Sequence, residues 1–255
     1  MKKMVSLRKI TYKGKALYLA YDQGLEHGPS SDFNDKNVDP LYVLNIAKKA
    51  KFQGIVFQKG IAEKYKKEIK ESKIPLILKL NGKTKISKKE PFSPLTCTVK
   101  EAIKLGASAV GYTIYIGSER EEDSFEEFQE IQEQAHEKGL PVIAWIYPRG
   151  KAVKNDVSRE MISYATRTAL ELGADIVKIR YGGNPKDLAW AVKSAGRTKV
   201  VIAGGTKKNE KQFLKSIKDI VKSGAIGLAI GRNIWQHPEP IKITAKIKKI
   251  IWSKK

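Results

Sequence analysis

A lysine lies in the middle of a segment that has the composition of a buried strand. Lys178 belongs to the run Ile-Val-Lys-Ile-Arg at 176–180, and glycines bound the segment at 173 and 182–183. β-Branched residues between glycines predict a short strand, in which Lys178 and Arg180 share a face. An unpaired buried ammonium is costly, and a desolvated lysine beside a second cation can lose its proton near neutral pH. Lys178 is therefore a candidate amine nucleophile, with Arg180 as the neighbouring cation.

Two alternatives to Lys178 as nucleophile stay open. The side chain could simply extend to solvent from a strand end. Two other lysines also belong to strand-like segments: Lys59 ends the second segment, and Lys79 lies inside the third. Periodicity excludes neither of them. Lys178 is favoured because Arg180 shares its face and because Tyr147 is expected on the neighbouring strand.

The fifth strand-like segment carries an aromatic, a phenol and a guanidinium on one face. Trp145, Tyr147 and Arg149 alternate with smaller or apolar residues. At the end of a strand, such a set can transfer protons and bind an anion. The alternative is aromatic packing with an arginine at the rim.

The first strand-like segment ends in an acidic residue followed by a tight turn. Ala16, Tyr18, Ala20 and Asp22 share one face, and the turn Gln23-Gly24-Leu25-Glu26-His27-Gly28-Pro29 follows. The face with small residues suits the interior of a barrel. Asp22 could equally cap the turn, and His27 could be a loop histidine without a role.

The seventh and eighth strand-like segments both end in glycine. The seventh ends in Ala203-Gly204-Gly205-Thr206 and the eighth in Gly231-Arg232-Asn233. Backbone N–H groups at such ends commonly bind a phosphate in barrels, and an arginine adds a bidentate charge. The two motifs together predict a phosphate site.

The composition argues against several other classes of protein. The three histidines are scattered along the chain, and no pair has the spacing of metal ligands, so we expect no metal. The one cysteine, Cys97, cannot form an internal disulfide and resembles a small apolar residue, which suggests a cytoplasmic protein. No apolar run approaches the length of a membrane span, and the N-terminus lacks the apolar core of a signal peptide.

The formal charge of +22 arises from 49 Lys and Arg against 27 Asp and Glu. Basic surfaces of this kind bind nucleic acid in some proteins and are merely solvated in others. The lysines are mixed with glutamates in predicted helices, and no zinc-finger spacing or RNA-binding aromatic motif is present. A lysine-rich surface that acts on small anionic molecules is therefore favoured over a basic nucleic-acid-binding protein.

Eight strand-like segments, each followed by a stretch that can form a helix, predict the fold. They begin near residues 16, 54, 74, 107, 140, 174, 199 and 225. Eight such units in 255 residues predict an α/β fold, namely a single (β/α)₈ TIM barrel of parallel strands that forms one domain over 1–255. A doubly wound open sheet is the alternative, although no glycine-rich dinucleotide motif follows the first strand. Residues 1–15 are expected to form a basic lead-in and residues 81–95 a long polar loop.

The motifs together resemble archaeal-type class I fructose-bisphosphate aldolases over nearly the whole chain. The matching runs are Tyr-Asp-Gln-Gly-Leu-Glu-His-Gly-Pro at 21–29, Trp-Ile-Tyr-Pro-Arg-Gly at 145–150, Val-Lys-Ile-Arg-Tyr at 177–181, Ala-Gly-Gly at 203–205 and Gly-Arg-Asn-Ile-Trp at 231–235. The resemblance implies that Lys178 forms the Schiff base and that Tyr147 is the proton donor and acceptor, with Asp22 as a further catalytic residue. It implies substrate-binding roles for Gln23, His27, Trp145, Arg149 and Arg180. It implies phosphate-binding roles for Ala203, Gly204, Gly205, Gly231 and Arg232.

The resemblance also implies a metal-independent reaction on phosphorylated sugars, without a cofactor, in a homo-oligomer that is often a decamer. The expected reaction is reversible cleavage of fructose 1,6-bisphosphate in glycolysis and gluconeogenesis. A related branch of the family uses Schiff-base chemistry on phosphosugars to supply aromatic amino-acid precursors, and that activity is the alternative.

Overall fold

A computed structural model describes residues 5–28, 32–205 and 209–253 of the chain. Its centre is a closed barrel in which the eight strands follow one another in chain order. The strands are β1 (Ala16–Ala20), β2 (Gly54–Gln58), β3 (Leu76–Lys79), β4 (Ala109–Ile114), β5 (Val142–Ile146), β6 (Ile176–Ile179), β7 (Lys199–Ala203) and β8 (Gly227–Ile230). β1 pairs with β8 in parallel, with Ala16 opposite Gly227, so the sheet has no open edge. The predicted (β/α)₈ barrel is confirmed, and the open-sheet alternative is wrong.

Helices connect the strands on the outside of the barrel. Within the described residues they are α1 (Gln23–His27), α2 (Pro40–Lys49), α3 (Lys59–Lys64), α4 (Lys66–Ser72), α5 (Val99–Lys104), α6 (Glu121–Glu137), α7 (Arg159–Glu171), α8 (Pro185–Ser194), α9 (Glu210–Lys222), α10 (Arg232–Trp235) and α11 (Pro240–Ile251). Local sequence sets several of their ends. The side chain of Asp39 accepts a hydrogen bond from Leu41 N at 2.9 Å before Pro40 begins α2, and Asn209 caps α9 in the same way.

Alternation along each strand separates two apolar cores. Residues that point outward pack against the helices in a large core. Residues that point inward fill the barrel with a smaller set: Ile10, Ala16, Tyr18, Ala20, Val56, Ile77, Ala109, Ile143, Trp145, Ile176, Val201 and Ala229. Five of the eight strands begin two residues later than the pattern predicts. The inward face of β1 is the predicted one.

Two segments that were expected to be a basic lead-in and a polar loop make specific contacts with the barrel. Ile10 is fully buried within the inner core, so the lead-in contributes an apolar side chain to the barrel, while residues 1–4 lie outside the described residues. The segment 81–95 is pinned at both ends by a bridge between Asn81 and Leu95. Among the described residues, none of the helices combines the length and apolar character needed to cross a membrane.

Candidate active site

A cavity of about 260 Å³ opens at the carboxyl ends of the strands. All thirteen residues that the sequence marks as site residues line it. They are Asp22, Gln23, His27, Trp145, Tyr147, Arg149, Lys178, Arg180, Ala203, Gly204, Gly205, Gly231 and Arg232. Four lining residues were not among the predicted ones, namely Ala20, Glu26, Lys79 and Ala229. The roles of the lining residues follow from their contacts.

Lys178 is a buried amine that lacks a counter-ion in direct contact. Its side chain is inward-facing and only 6% exposed, and its Nζ lies 5.3 Å from the centroid of the Trp145 ring. Nζ forms no hydrogen bond or ion pair with any residue that the structure describes. Burial lowers the pKa of Lys178 below its ordinary value; Asp22 opposes that change and Lys79 adds to it. The deprotonated, nucleophilic form is therefore favoured more than in a free lysine.

Lys79 is the cation beside Lys178. It is 1% exposed, and its Nζ lies 2.8 Å from Glu26 Oε1, 3.7 Å from Asp22 Oδ2 and 5.6 Å from the centroid of the Trp145 ring. Burial opposes its charge, but Glu26 and Asp22 outweigh burial and raise the pKa of Lys79 above its usual value. Lys79 thus stays an ammonium, which makes it a poor nucleophile and a good electrostatic neighbour.

Arg180 was the wrong choice for the neighbouring cation. Its guanidinium pairs with Asp156 and its side chain is 40% exposed, so its charge is both paired and close to solvent. It lines the cavity, and a substrate-binding role for Arg180 stays a prediction. The third lysine, Lys59, pairs with Glu101 and does not line the cavity.

Trp145 lies next to both lysines, and a glycine leaves room for its ring. Trp145 points inward from β5, directly opposite Lys178 of β6 in the strand register. A Cβ atom built on Gly111 of β4 would lie 1.7 Å from the indole ring. Gly111 is thus the residue that leaves space for the Trp145 ring in the lining of the cavity. The Nζ atoms of both lysines lie over the indole ring.

Tyr147 is a phenol that keeps its proton. Burial, together with Asp22 and Glu26, raises the pKa of Tyr147 well above its usual value. β5 ends at Ile146, but Tyr147 N still donates to Ile114 O at 3.0 Å, so the chain continues along β4 beyond the strand. The Arg149 guanidinium carbon lies 5.7 Å from the centroid of the Tyr147 ring. At neutral pH Tyr147 can therefore donate a proton.

Asp22 is an ionised carboxylate near both lysines. Burial opposes its charge, but Lys178 and Lys79 outweigh burial and hold the pKa of Asp22 below its usual value. The Asp22 side chain does not cap α1, so the turn-cap alternative is wrong. The site thus combines an amine, an ammonium, a phenol and two carboxylates in one small volume.

The glycine-rich ends of β7 and β8 form the part of the cavity wall that runs from β6 round to β1. The Gly204 N–H donates to Ala229 O at 3.2 Å, so that donor is used inside the barrel. Gly205 adopts a left-handed conformation with φ of +69°. Arg232 Nη1 lies 3.2 Å from Asp32 Oδ1, and Asp32 Oδ2 lies 3.1 Å from His27 Nδ1. Asp32 therefore fixes both Arg232 and His27.

Sequence reasoning did not assign three residues to the site, namely Glu26, Lys79 and Asp32. Glu26 stands four residues after Asp22 on a short helix, which places the two carboxylates on one face, and this spacing could have revealed it. Lys79 was noted only as a rival nucleophile. Asp32 has no signal in the sequence, because the bond to Arg232 joins residues 200 positions apart.

The remaining histidines have partners outside the site. His136 Nε2 lies 2.9 Å from Asp175 Oδ2, and His237 Nε2 lies 3.7 Å from Glu210 Oε2. Within the ranges that the structure describes, no three His, Cys, Asp or Glu side chains form a group that could hold a metal ion. Cys97 is buried, and burial raises the pKa of its thiol to about 11.

The sequence profile of the DeoC/LacD family of aldolases matches residues 16–237. The chain belongs to this family. It is 48% identical over 252 residues to the fructose-bisphosphate aldolase class 1 of Thermoproteus tenax, covering 98% of this chain and 94% of that protein. It is 39% identical to the fructose-bisphosphate aldolase/6-deoxy-5-ketofructose 1-phosphate synthase of Methanocaldococcus jannaschii, over 93% of this chain and 80% of that protein.

A solved structure of a family member has the same architecture. It is an archaeal fructose-1,6-bisphosphate aldolase whose catalytic Lys is covalently bound to the carbinolamine intermediate of the substrate. The TM-score is 0.92 at 46% identity, and the match covers 97% of this chain and 98% of that structure. A lysine nucleophile is therefore an attested feature of this barrel in a close relative.

Proposed function

We propose that this chain is a class I aldolase that reversibly cleaves fructose 1,6-bisphosphate into dihydroxyacetone phosphate and glyceraldehyde 3-phosphate. The observation that carries the proposal is the pair of lysines over Trp145, of which Lys178 is desolvated and unpaired while Lys79 is bound to a carboxylate. One lysine is thereby available as an amine and the other as a fixed positive charge.

The reaction begins with attack of the neutral Lys178 amine on the C2 carbonyl of the substrate. Loss of water gives an iminium, whose positive charge withdraws electrons from C3. A base then takes the proton of the C4 hydroxyl, the C3–C4 bond breaks, and glyceraldehyde 3-phosphate leaves an enamine on Lys178. Protonation at C3 and hydrolysis release dihydroxyacetone phosphate and restore the amine.

Tyr147 and Asp22 divide the proton transfers according to their charge states. Tyr147 holds its proton and donates it to C3 of the enamine. Asp22 is ionised and accepts a proton, either from the substrate hydroxyl or from the carbinolamine. Gln23, His27, Trp145, Arg149 and Arg180 contact the sugar and its second phosphate.

The walls formed by β7 and β8 fix the substrate for this chemistry. Ala203, Gly204 and Gly205 with Gly231 and Arg232 hold one phosphate, mainly through backbone N–H groups and the guanidinium. Because the Gly204 N–H is bonded inside the barrel, we assign the donor role chiefly to Gly205 and Gly231. Binding at this wall keeps C2 near Lys178, which lowers the entropic part of the barrier.

A second activity has a specific observation in its favour. The relative from Methanocaldococcus jannaschii carries two activities in one chain, one of them the synthesis of 6-deoxy-5-ketofructose 1-phosphate. We propose that this chain has the same synthase activity as well, and the purified protein would be assayed for it beside the aldolase reaction. We further propose a single domain over 1–255, a cytoplasmic location and a homo-oligomer.

Borohydride reduction tests the proposed function directly. Treatment with dihydroxyacetone phosphate and borohydride should leave a stable amine adduct on Lys178, because borohydride reduces an iminium. Lys178→Met should lose both the adduct and turnover. Tyr147→Phe is the matched variant: it should keep the adduct but turn over about 10²-fold more slowly, the usual scale for a lost general acid. An adduct on Lys79 or Lys59 would overturn the assignment.

A further inference from the structure

The segment 81–95, which connects β3 with α5, is anchored at the mouth of the cavity. It begins two residues after Lys79, and its first residue, Asn81, is fully buried. Asn81 Nδ2 donates to Ser93 O at 2.8 Å and to Thr113 O at 2.9 Å, and its amide oxygen accepts from Thr113 N at 2.8 Å. These bonds fix both ends of the segment to the carboxyl end of β4.

The same segment also packs against α1, the helix that carries three cavity residues. A Cβ built on Gly82 would lie 2.6 Å from Leu25 Cδ2, so the backbone at 82 is in close contact with α1. Leu25 directly precedes Glu26 and His27, which line the cavity. The middle of the segment, residues 83–89, which we call its tip, therefore starts close to the rim of the cavity, through which a substrate must enter.

The tip is basic and exposed. Its cations, which we call the lysine collar, are Lys83, Lys85, Lys88 and Lys89. No acidic residue lies between 82 and 89, and the acid that follows, Glu90, lies 3.8 Å from Lys151. None of the four collar lysines forms an ion pair with another described residue. Ile86, in the middle of the tip, is 82% exposed, so the tip is not folded onto the barrel.

We propose that the lysine collar selects substrates by the number of their phosphates. Four unpaired ammonium groups on a segment anchored beside the cavity create a positive potential that adds to the attraction of any anion. The gain in electrostatic free energy scales with the charge of the ligand, so a sugar bisphosphate gains about twice as much free energy as a monophosphate. The collar acts on capture of the substrate and leaves the chemistry at Lys178 unchanged. This inference rests on the proposed function.

The decisive variant replaces the four collar lysines by glutamine. Its matched control replaces four exposed lysines at the opposite end of the barrel, Lys66, Lys70, Lys73 and Lys104, which surround a shallow groove next to Leu76 at the start of β3. Both variants lose the same formal charge. Steady-state kinetics with fructose 1,6-bisphosphate and with fructose 1-phosphate would be measured at about 10 mM and about 1 M ionic strength.

We expect the collar variant to lose about 10-fold in kcat/KM for the bisphosphate at low ionic strength, with kcat unchanged. The loss for the monophosphate should be about threefold, since its charge is about half. Both losses should vanish at about 1 M salt, where the Debye length is about 3 Å. The control variant should lose clearly less than the collar variant at about 10 mM ionic strength, because its charges lie at the opposite end of the barrel and Coulomb interactions weaken with distance.

Three results would each refute the proposed role of the lysine collar: equal losses of kcat/KM for the two substrates, a loss that persists at high salt, or a loss as large in the control variant. Binding of duplex DNA that disappears in the collar variant while its kcat/KM is unchanged would assign the loop to nucleic acid instead. Borohydride trapping on Lys178 is measured in both variants. Absence of trapping in the unmodified chain would count against the proposed function, whereas trapping with unchanged selectivity would count against the collar alone.

Discussion

Lys79 should determine the pH at which Lys178 becomes active, and Lys79→Met tests this. The Nζ atoms of Lys79 and Lys178 lie 5.6 Å and 5.3 Å from the same Trp145 centroid, so they can be no further apart than the total of these distances, about 11 Å. At that separation and an effective dielectric constant of about 20, two unit charges repel by about 1.5 kcal/mol. Removing Lys79 should therefore reduce the amine-to-ammonium ratio of Lys178 by about 10-fold.

The expected signature is a pH-dependent loss of activity. The amine is the reactive form, and its fraction rises with pH up to the pKa of Lys178. Lys79→Met raises that pKa, so the acid limb of kcat/KM should move to higher pH. The deficit should be about 10-fold on the limb and should disappear at the alkaline plateau. The assay is a pH profile of triose phosphate release, with the thermal unfolding midpoint as a check on folding.

Two further variants separate charge from packing. Lys79→Arg keeps the cation and should keep the profile of the unmodified chain. Glu26→Gln removes an anion that raises the pKa of Lys178, so it should move the acid limb in the opposite direction, to lower pH. A Lys79→Met deficit of constant size at every pH, or shifts of the same sign in Lys79→Met and Glu26→Gln, would refute the electrostatic account.

Further predictions concern Gly111 beside Trp145, the phosphate-binding wall at β7 and β8, and the removal of metals. Gly111→Ala should destabilise the fold by about 1–3 kcal/mol and impair turnover by displacing Trp145, whereas Gly60→Ala, where no atom lies within 4 Å, should be neutral or stabilising in thermal unfolding. Arg232→Ala should raise KM for the bisphosphate more than it lowers kcat, and Asp32→Asn should do the same more weakly; a fall in kcat alone in either variant would contradict the assignment of that wall to binding. Activity should survive prolonged EDTA treatment, and a loss that Zn²⁺ restores would move the reaction to another mechanism.

Local sequence determined the elements and the face each strand presents. Short β-branched runs between glycines and amphipathic helices with Asp39 and Asn209 as caps are set by interactions within a few residues. Period-two alternation placed Lys178 on the inward face of β6, and parallel strands in chain order bring their carboxyl ends together. That is why residues chosen one motif at a time all line one cavity. Five strands begin two residues later than predicted, because hydrogen bonding to the neighbouring strands, rather than composition, decides where a strand begins.

Charge states required the tertiary structure. Lys79 and Glu26 are 53 residues apart, and the pairing of β1 with β2 and of β2 with β3 brings them to 2.8 Å. The sequence offered Arg180 as the neighbouring cation because it lies two residues from Lys178 on the same face. In the folded chain Arg180 extends to Asp156, and Lys79 lies over the same indole as Lys178. Which lysine is an amine depends on burial and on the carboxylates around it, and those distances come from tertiary structure alone.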